Sequence, residues 1–172
     1  MVRLTVNTDE VLRPGREFLK PRVPPPVLAL LAAGLMWVLC RWIPLVRWMY
    51  QPWNWLGPLA VAMGFAMALA ALMRFRQAHT TVNPLDPSRA THLVTEGVFA
   101  ISRNPMYLAL LLVLIGWGIW LQVASPWLVV VLFVVVITRV QIIPEEQALE
   151  RLFGTEYTAY RGTVRRWIGR RG

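Results

Sequence analysis

Four apolar runs divide this chain, and its polar residues bunch between the runs instead of alternating within them. Residues 55–73 hold nineteen positions without a charge, enough for an α-helix to cross a hydrocarbon layer about 30 Å thick. Gly57, Gly64 and several alanines give that helix a small-residue face for close packing. The third and fourth runs, 105–124 and 126–143, each open on a proline. Proline suits a helix's first turn, where its missing N–H forfeits no bond. Only Ala124 and Ser125 separate these two runs, which predicts a tight antiparallel helical hairpin.

The first run, 27–40, is short for a span and follows Pro24, Pro25 and Pro26. Trp42, Ile43, Leu45 and Val46 lengthen it if the Arg41 guanidinium snorkels outward. The Trp-rich stretch 41–55, RWIPLVRWMYQPWNW, reads either as an amphipathic piece along the interface or as a fifth membrane segment. The expected fold is therefore all-α and integral to a membrane, a single domain over 1–172 with four or five transmembrane helices. Its parts are an N-terminal segment 1–24, two spans within 27–73, a polar loop 75–104, the hairpin 105–143, and a charged helix with a basic tail, 145–172.

Composition supports the membrane class: 56% of the residues are hydrophobic, 16% are charged, and nine are tryptophan. The net charge of +9 changes the picture less than its size suggests, because the arginines flank apolar runs instead of interleaving with aromatics. Membrane lipids are the expected partners of that charge, and nucleic acid is not. Counted by segment, Lys and Arg number five before the first run, two between the first and second, four between the second and third, none in the hairpin turn and seven from Arg139 onward. Four spans with both termini cytoplasmic place sixteen of the eighteen on the cytoplasmic side. The basic N-terminus lacks the layout of a cleaved export signal, and a bacterial or archaeal inner membrane is the expected location. Cys40 is alone, so neither an internal disulfide nor a cysteine metal cluster is available.

Candidate chemistry then gathers at one membrane face. The loop 75–104 and the charged helix from Glu145 both lie there, and a connection of thirty residues is more often functional than idle. Glu145 and Glu146 follow Pro144 in a first helical turn, where the helix dipole favours negative charge. They also place carboxylates where a cationic ligand would meet the membrane boundary. Arg139 sits inside the fourth run, at a depth where an arginine must snorkel, pair or face a wet cavity. Seven residues, two α-helical turns, separate it from Glu146, so the two share a face if the helix continues unchanged through Pro144. His79 and His92 are thirteen residues apart and suggest no metal site. Glycine-rich phosphate loops and Ser/His/Asp spacings are missing, which excludes the usual soluble cofactor folds.

LVTEGVFAISRNPMY, followed some forty residues later by EEQALERLFGTEYTAY, resembles the membrane methyltransferases typified by isoprenylcysteine carboxyl methyltransferase, with phospholipid N-methyltransferases as relatives. In that family a Gly-x-Tyr, Arg-His-Pro-x-Tyr segment opens one helix. A Glu-Glu, Phe-Gly-x-x-Tyr-x-x-Tyr segment follows the hairpin. The resemblance covers about residues 91–160, and implies S-adenosylmethionine as cofactor in a cytoplasm-facing pocket roofed by the C-terminal segments. Carried onto this chain it implies cofactor contacts at Thr91, Leu93, Val94, Phe99, Asn104, Pro105, Met106, Tyr107 and Glu145. Phe99 stands where the family often has tyrosine, Asn104 where it has histidine, and Gln141 where the eukaryotic enzymes have a substrate-binding arginine. Asparagine donates and accepts hydrogen bonds but does not shuttle protons.

The expected activity is methyl transfer to a lipophilic small molecule, a lipid or a lipidated peptide, through a carboxylate, amine or thiol. A carboxylate acceptor needs a counter-ion, for which Arg103 or Arg139 is the candidate, and an amine needs a base, for which Glu146 is the candidate. An in-line displacement at a sulfonium requires positioning and exclusion of water, not a metal. Two other classes remain at this level: an NADPH-dependent membrane reductase of the sterol or steroid type, and a non-enzymatic scaffold in which Arg103 and Tyr107 are interfacial anchors.

Overall fold

Helix starts and stops follow the prolines. A computed structural model describes residues 23–48, 51–77 and 93–171. Thr91, His79 and His92 lie outside the described residues. Helix α1, Pro25–Trp42, begins on the proline triplet with Pro24 as its N-cap. It stops at Trp42, so the anticipated helical extension through Leu45 and Val46 does not form. Pro44 is the cause: the residue before a proline is pushed out of the α region, and Ile43 sits at φ −133°, ψ 60°. Beyond it the backbone runs antiparallel to the hairpin turn, with Trp48 N–H donating to Gln122 O at 3.2 Å and Ala124 N–H to Val46 O at 3.1 Å. Among the described residues the Trp-rich stretch therefore makes a short pairing and a 3-10 turn at Trp53–Trp55, not a fifth membrane helix.

Helix α2, Leu56–Gln77, runs four residues beyond the apolar run, ending with Arg74 and Arg76 in its last turn, where the cationic heads favour the helix's negative end. Helix α3 is Pro105–Leu121, and Gln122 closes it in the left-handed conformation at φ 62°. Helix α4, Trp127–Ile137, passes through a π turn at Thr138–Ile142 directly into α5, Ile143–Thr163. Pro144 explains the π turn, since its ring would strike the carbonyl four residues earlier in an unbroken α-helix. Widening the preceding turn, with Ile143 N–H reaching back to Thr138 O, relieves that clash.

Helix α1, helix α2 with the 3-10 turn before it, and the continuous helix Trp127–Thr163 formed by α4, the π turn and α5 are long and apolar enough to cross a membrane, and α3 is a shorter fourth. Their order is up-down-up-down. At one end Ser125 Oγ lies 3.5 Å from Leu39 O and the rings of Trp55 and Trp120 meet edge to face. At the other, Gln141 Nε2 donates to Val23 O at 2.9 Å and Phe75 meets Phe99 edge to face. Helix α3 is central, packing on α1, α2 and α4. Its side chains Tyr107 and Leu114, with Met36, Phe133, Ile137 and Ile142, make the dry interior. The outward faces are apolar too, with Leu30 72%, Phe65 65% and Val131 64% exposed. Water would not leave such surfaces uncovered, and lipid is their natural solvent. The molecule is an all-α integral membrane protein.

At 1.5 Å per residue, α3 measures about 25 Å, roughly 5 Å less than the hydrocarbon core. The polar residues that flank it, Asn104 and Gln122, therefore sit close to the boundary between lipid tails and headgroups.

Candidate active site

Asn104 is the N-cap of α3, yet its side chain makes no capping bond. Instead its Nδ2 donates to Arg166 O at 3.2 Å and lies 3.5 Å from Glu146 Oε1. Ser102 Oγ takes the Asn104 backbone N–H at 3.1 Å. An asparagine in the best place to cap a helix has thus been turned to a different task. Arg103 beside it is buried, with Nη2 3.3 Å from Glu146 Oε1 and Nη1 donating to Tyr157 Oη at 3.2 Å. Arg166 completes the cluster in a bidentate grip on Glu146, at 2.7 Å from Nη2 to Oε2 and 3.0 Å from Nε to Oε1.

The backbone that carries these groups is tied as firmly as the side chains. Residues 164–171 fold back so that Val164 bridges Arg170. Arg103 N–H donates to Arg165 O at 3.2 Å, and Gly169 N–H to Ile101 O at 2.8 Å. Gly169 supplies a φ of +100° at the bend, a conformation side chains rarely adopt. The turn 97–100 is held from the other side by Tyr160, whose hydroxyl donates to Phe99 O at 2.6 Å. Gly154, at φ 51° and ψ −117°, kinks α5 between the Glu145–Glu146 pair and the tyrosines Tyr157 and Tyr160.

The expected residues separate into groups. Arg103, Asn104 and Glu146 meet in the cluster described above. Tyr107 donates to Glu145 Oε2 at 2.8 Å beside it. Leu93 packs against Tyr157, Tyr160 and Val164, and Phe99 joins through its carbonyl. Val94 and Met106 are half-buried on the flanking segments, while Pro105 is fully buried beneath. Arg139 does not join: it is exposed, and the π turn is the reason. A widened turn rotates everything before it relative to everything after it, so the seven-residue step no longer puts Arg139 and Glu146 on one face. Gln141, the arginine position of the eukaryotic enzymes, is buried and ties the fourth helix to the start of the first.

Glu146, the candidate base for an amine acceptor, is heavily engaged. Each of its oxygens already accepts from arginine, and Oε1 has Asn104 as well. With both oxygens engaged it anchors Arg103 and Arg166. Sequence reasoning missed Arg166, one of four arginines in a basic tail. The tyrosines were visible in the motif but had no assigned task.

Burial, reinforced by the nearby Glu146 and offset in part by Arg103, pushes the Tyr157 hydroxyl up to about 12. Its ordinary value is 10, so the unfolded chain ionises first and this tyrosine's contribution to stability is lost between pH 10 and about 12. Tyr160 moves in the same direction, again chiefly from burial. Tyr157→Phe is expected to flatten the alkaline limb of a stability-against-pH curve above pH 10, and an unchanged limb would contradict the coupling.

Comparison with known proteins fits this geometry. The profile of the phospholipid methyltransferase family matches residues 53–156, from the turn before α2 into α5 as far as Glu156. A stretch of 63 residues, 37% of the chain, is 49% identical to an uncharacterized protein of Haemophilus influenzae and spans 100% of that protein. No solved structure matches the chain. With the match covering more than half of its length, the chain belongs to the phospholipid methyltransferase family.

Proposed function

We propose that this protein transfers a methyl group from S-adenosylmethionine to a lipophilic acceptor at the cytoplasmic membrane face. The observation that carries the reading is the buried Arg103–Glu146–Arg166 cluster, with Asn104 and the Tyr107–Glu145 pair beside it, at one end of a lipid-facing bundle. Family membership supports methyl transfer and gives the reductase and scaffold readings no support.

The side chains suit the cofactor chemically. Glu145 is a half-buried carboxylate able to accept from hydroxyls or an ammonium group. Arg103 Nε is buried without a partner, a donor left over for a carboxylate. Leu93, Val94 and Phe99 offer apolar surface. When bound, the cofactor supplies an electrophilic methyl on a sulfonium.

The chain's own residues then position and exclude. Two arginines against one glutamate leave the cluster with one net positive charge in a site of low dielectric, which orients an anionic group of the acceptor. A carboxylate fits as nucleophile, as does a lipid amine or thiol carried beside a phosphate. Tyr157, buried against Arg103, and Tyr160, buried beside it, keep water from that flank of the cluster, and the lipid-facing helices leave the acceptor its route from the bilayer. The preponderance of arginine at this end supports a cytoplasmic orientation.

Titration calorimetry with S-adenosylhomocysteine tests the reading. Binding to purified protein is expected, and Glu145→Ala should weaken it about 10- to 100-fold, the worth of a charged hydrogen bond. Gln147→Ala, an exposed neighbour on the same helix, should leave it unchanged. Folded wild-type protein that binds none of the ligand would end the proposal. Labelled methyl transfer into lipid and protein fractions would then identify the acceptor.

A further inference from the structure

The C-terminal clasp carries more charge than the cluster uses. Residues 157–171 contain five arginines and no acid. Arg161 pairs with Glu150 at 2.9 Å and Arg166 with Glu146 at 2.7 Å. Arg165, Arg170 and Arg171 are exposed and, among the described residues, have no ion-pair partner. An open basin of about 590 Å³ lies here, lined by Arg165, Arg166, Trp167, Ile168 and Arg171. Trp167 packs against the apolar interior formed by α1, α3 and α4, while Ile168 beside it is 61% exposed.

Those two side chains fix the level of the basin. A tryptophan seated on the end of a transmembrane bundle lies in the headgroup zone, and the arginines around it share that depth. The chemistry is two-part: guanidiniums that match phosphate oxygens in a fork, and an exposed branched apolar side chain beside them. Water satisfies the first part and not the second. A membrane lipid with an anionic headgroup satisfies both.

We propose that Arg165 and Arg171 of the basin, with the exposed Arg170 next to them and with Trp167 and Ile168, form a docking site for an anionic phospholipid of the surrounding leaflet, bordering the cluster through Arg166. Arg103 N–H and the Asn104 amide bond to the carbonyls of Arg165 and Arg166. A lipid held on the clasp therefore also steadies the backbone behind the cluster. The site depends on the fold and on charge, and stands whether or not the methyl acceptor is a phospholipid.

Native mass spectrometry of the full-length protein released from mixed micelles tests this. Phosphatidylglycerol should be retained well above phosphatidylcholine by the wild type. The R165Q/R170Q/R171Q variant should lose most of that preference. An arginine near an anionic surface is worth about fivefold in affinity, so three together give on the order of a hundredfold. Ile168→Ser should lower retention of both lipids while keeping the preference. Equal retention of the two lipids by wild-type protein overturns the proposal without any variant. So does a triple variant that is monodisperse and still prefers phosphatidylglycerol.

Discussion

Glu146→Ala is expected to cost this protein about 3–5 kcal/mol of stability, the usual penalty for removing one partner of a buried ion pair. Arg103 is the reason. Its side chain is only 4% exposed and its remaining bonds run to a tyrosine hydroxyl, so without the carboxylate a full positive charge stays buried. Arg166 suffers less, being 36% exposed and able to turn to water. A thermal midpoint measured in detergent should fall by roughly 10 °C. The companion variant separates charge from packing: R103M/E146L replaces the pair with apolar groups, which buried ion pairs often tolerate well. It should recover much of the midpoint and none of the methyl transfer. If the single variant melts like wild type, the carboxylate does not anchor Arg103, and the cluster as described is wrong. If the double variant regains activity, the charge has no role in orienting the acceptor.

Much of this arrangement was legible in the chain, and for a physical reason. Lipid imposes a simple rule, that a spanning segment must be apolar throughout and bonded within itself, so the runs beginning at Trp55, Pro105 and Pro126 announced their helices. SRNPMY was legible as more than punctuation, since an arginine, an asparagine and a tyrosine had to find partners at a membrane edge. What they bonded to was less visible. Glu146 had a neighbour, Glu145, of identical chemistry, and only the fold distinguishes the clamped acid from the one bonded to Tyr107. Arg166 was hidden among its neighbours in RRWIGRR, because a clasp held by backbone bonds to Ile101 and Arg103 has no periodicity to betray it.

The departures from simple periodicity have local causes as well. A count of 3.6 residues per turn sets Arg139 and Glu146 on one face only if the helix runs unchanged through Pro144, and the π turn before that proline breaks the count. Hydropathy and a snorkelling Arg41 allow the first helix to pass Arg41, which it does, but Pro44 ends it at Trp42 before Leu45 and Val46. Hydropathy reports which residues lipid accepts. Backbone donors and steric clashes decide where a helix ends.

Gly116→Ile should be the most damaging change away from the polar cluster. Helices α2 and α3 touch backbone to backbone: a Cβ at Gly116 would lie 2.5 Å from Gly57 O and 2.9 Å from Val61 N. Seven residues along α2, a Cβ at Gly64 would stand 2.8 Å from Ala109 O, so the contact continues along the pair. Small residues permit this approach, and in lipid such packing replaces the hydrophobic drive that water would supply. No side chain can swing aside here, since the obstacle is a carbonyl oxygen. The helices must part, at an overpacking cost at or above the usual 1–3 kcal/mol. The damage should reach the site, because the last turn of α2 puts Phe75 on Phe99 and Arg74 beside Glu96 at 4.0 Å. Both a lower thermal midpoint and lost S-adenosylhomocysteine binding are expected. Gly34→Ala provides the contrast, since a Cβ there meets nothing within 4 Å. It should gain up to about 1 kcal/mol from helix propensity. A Gly116→Ile protein with an unshifted midpoint would mean that the α2–α3 contact is looser than a glycine seam.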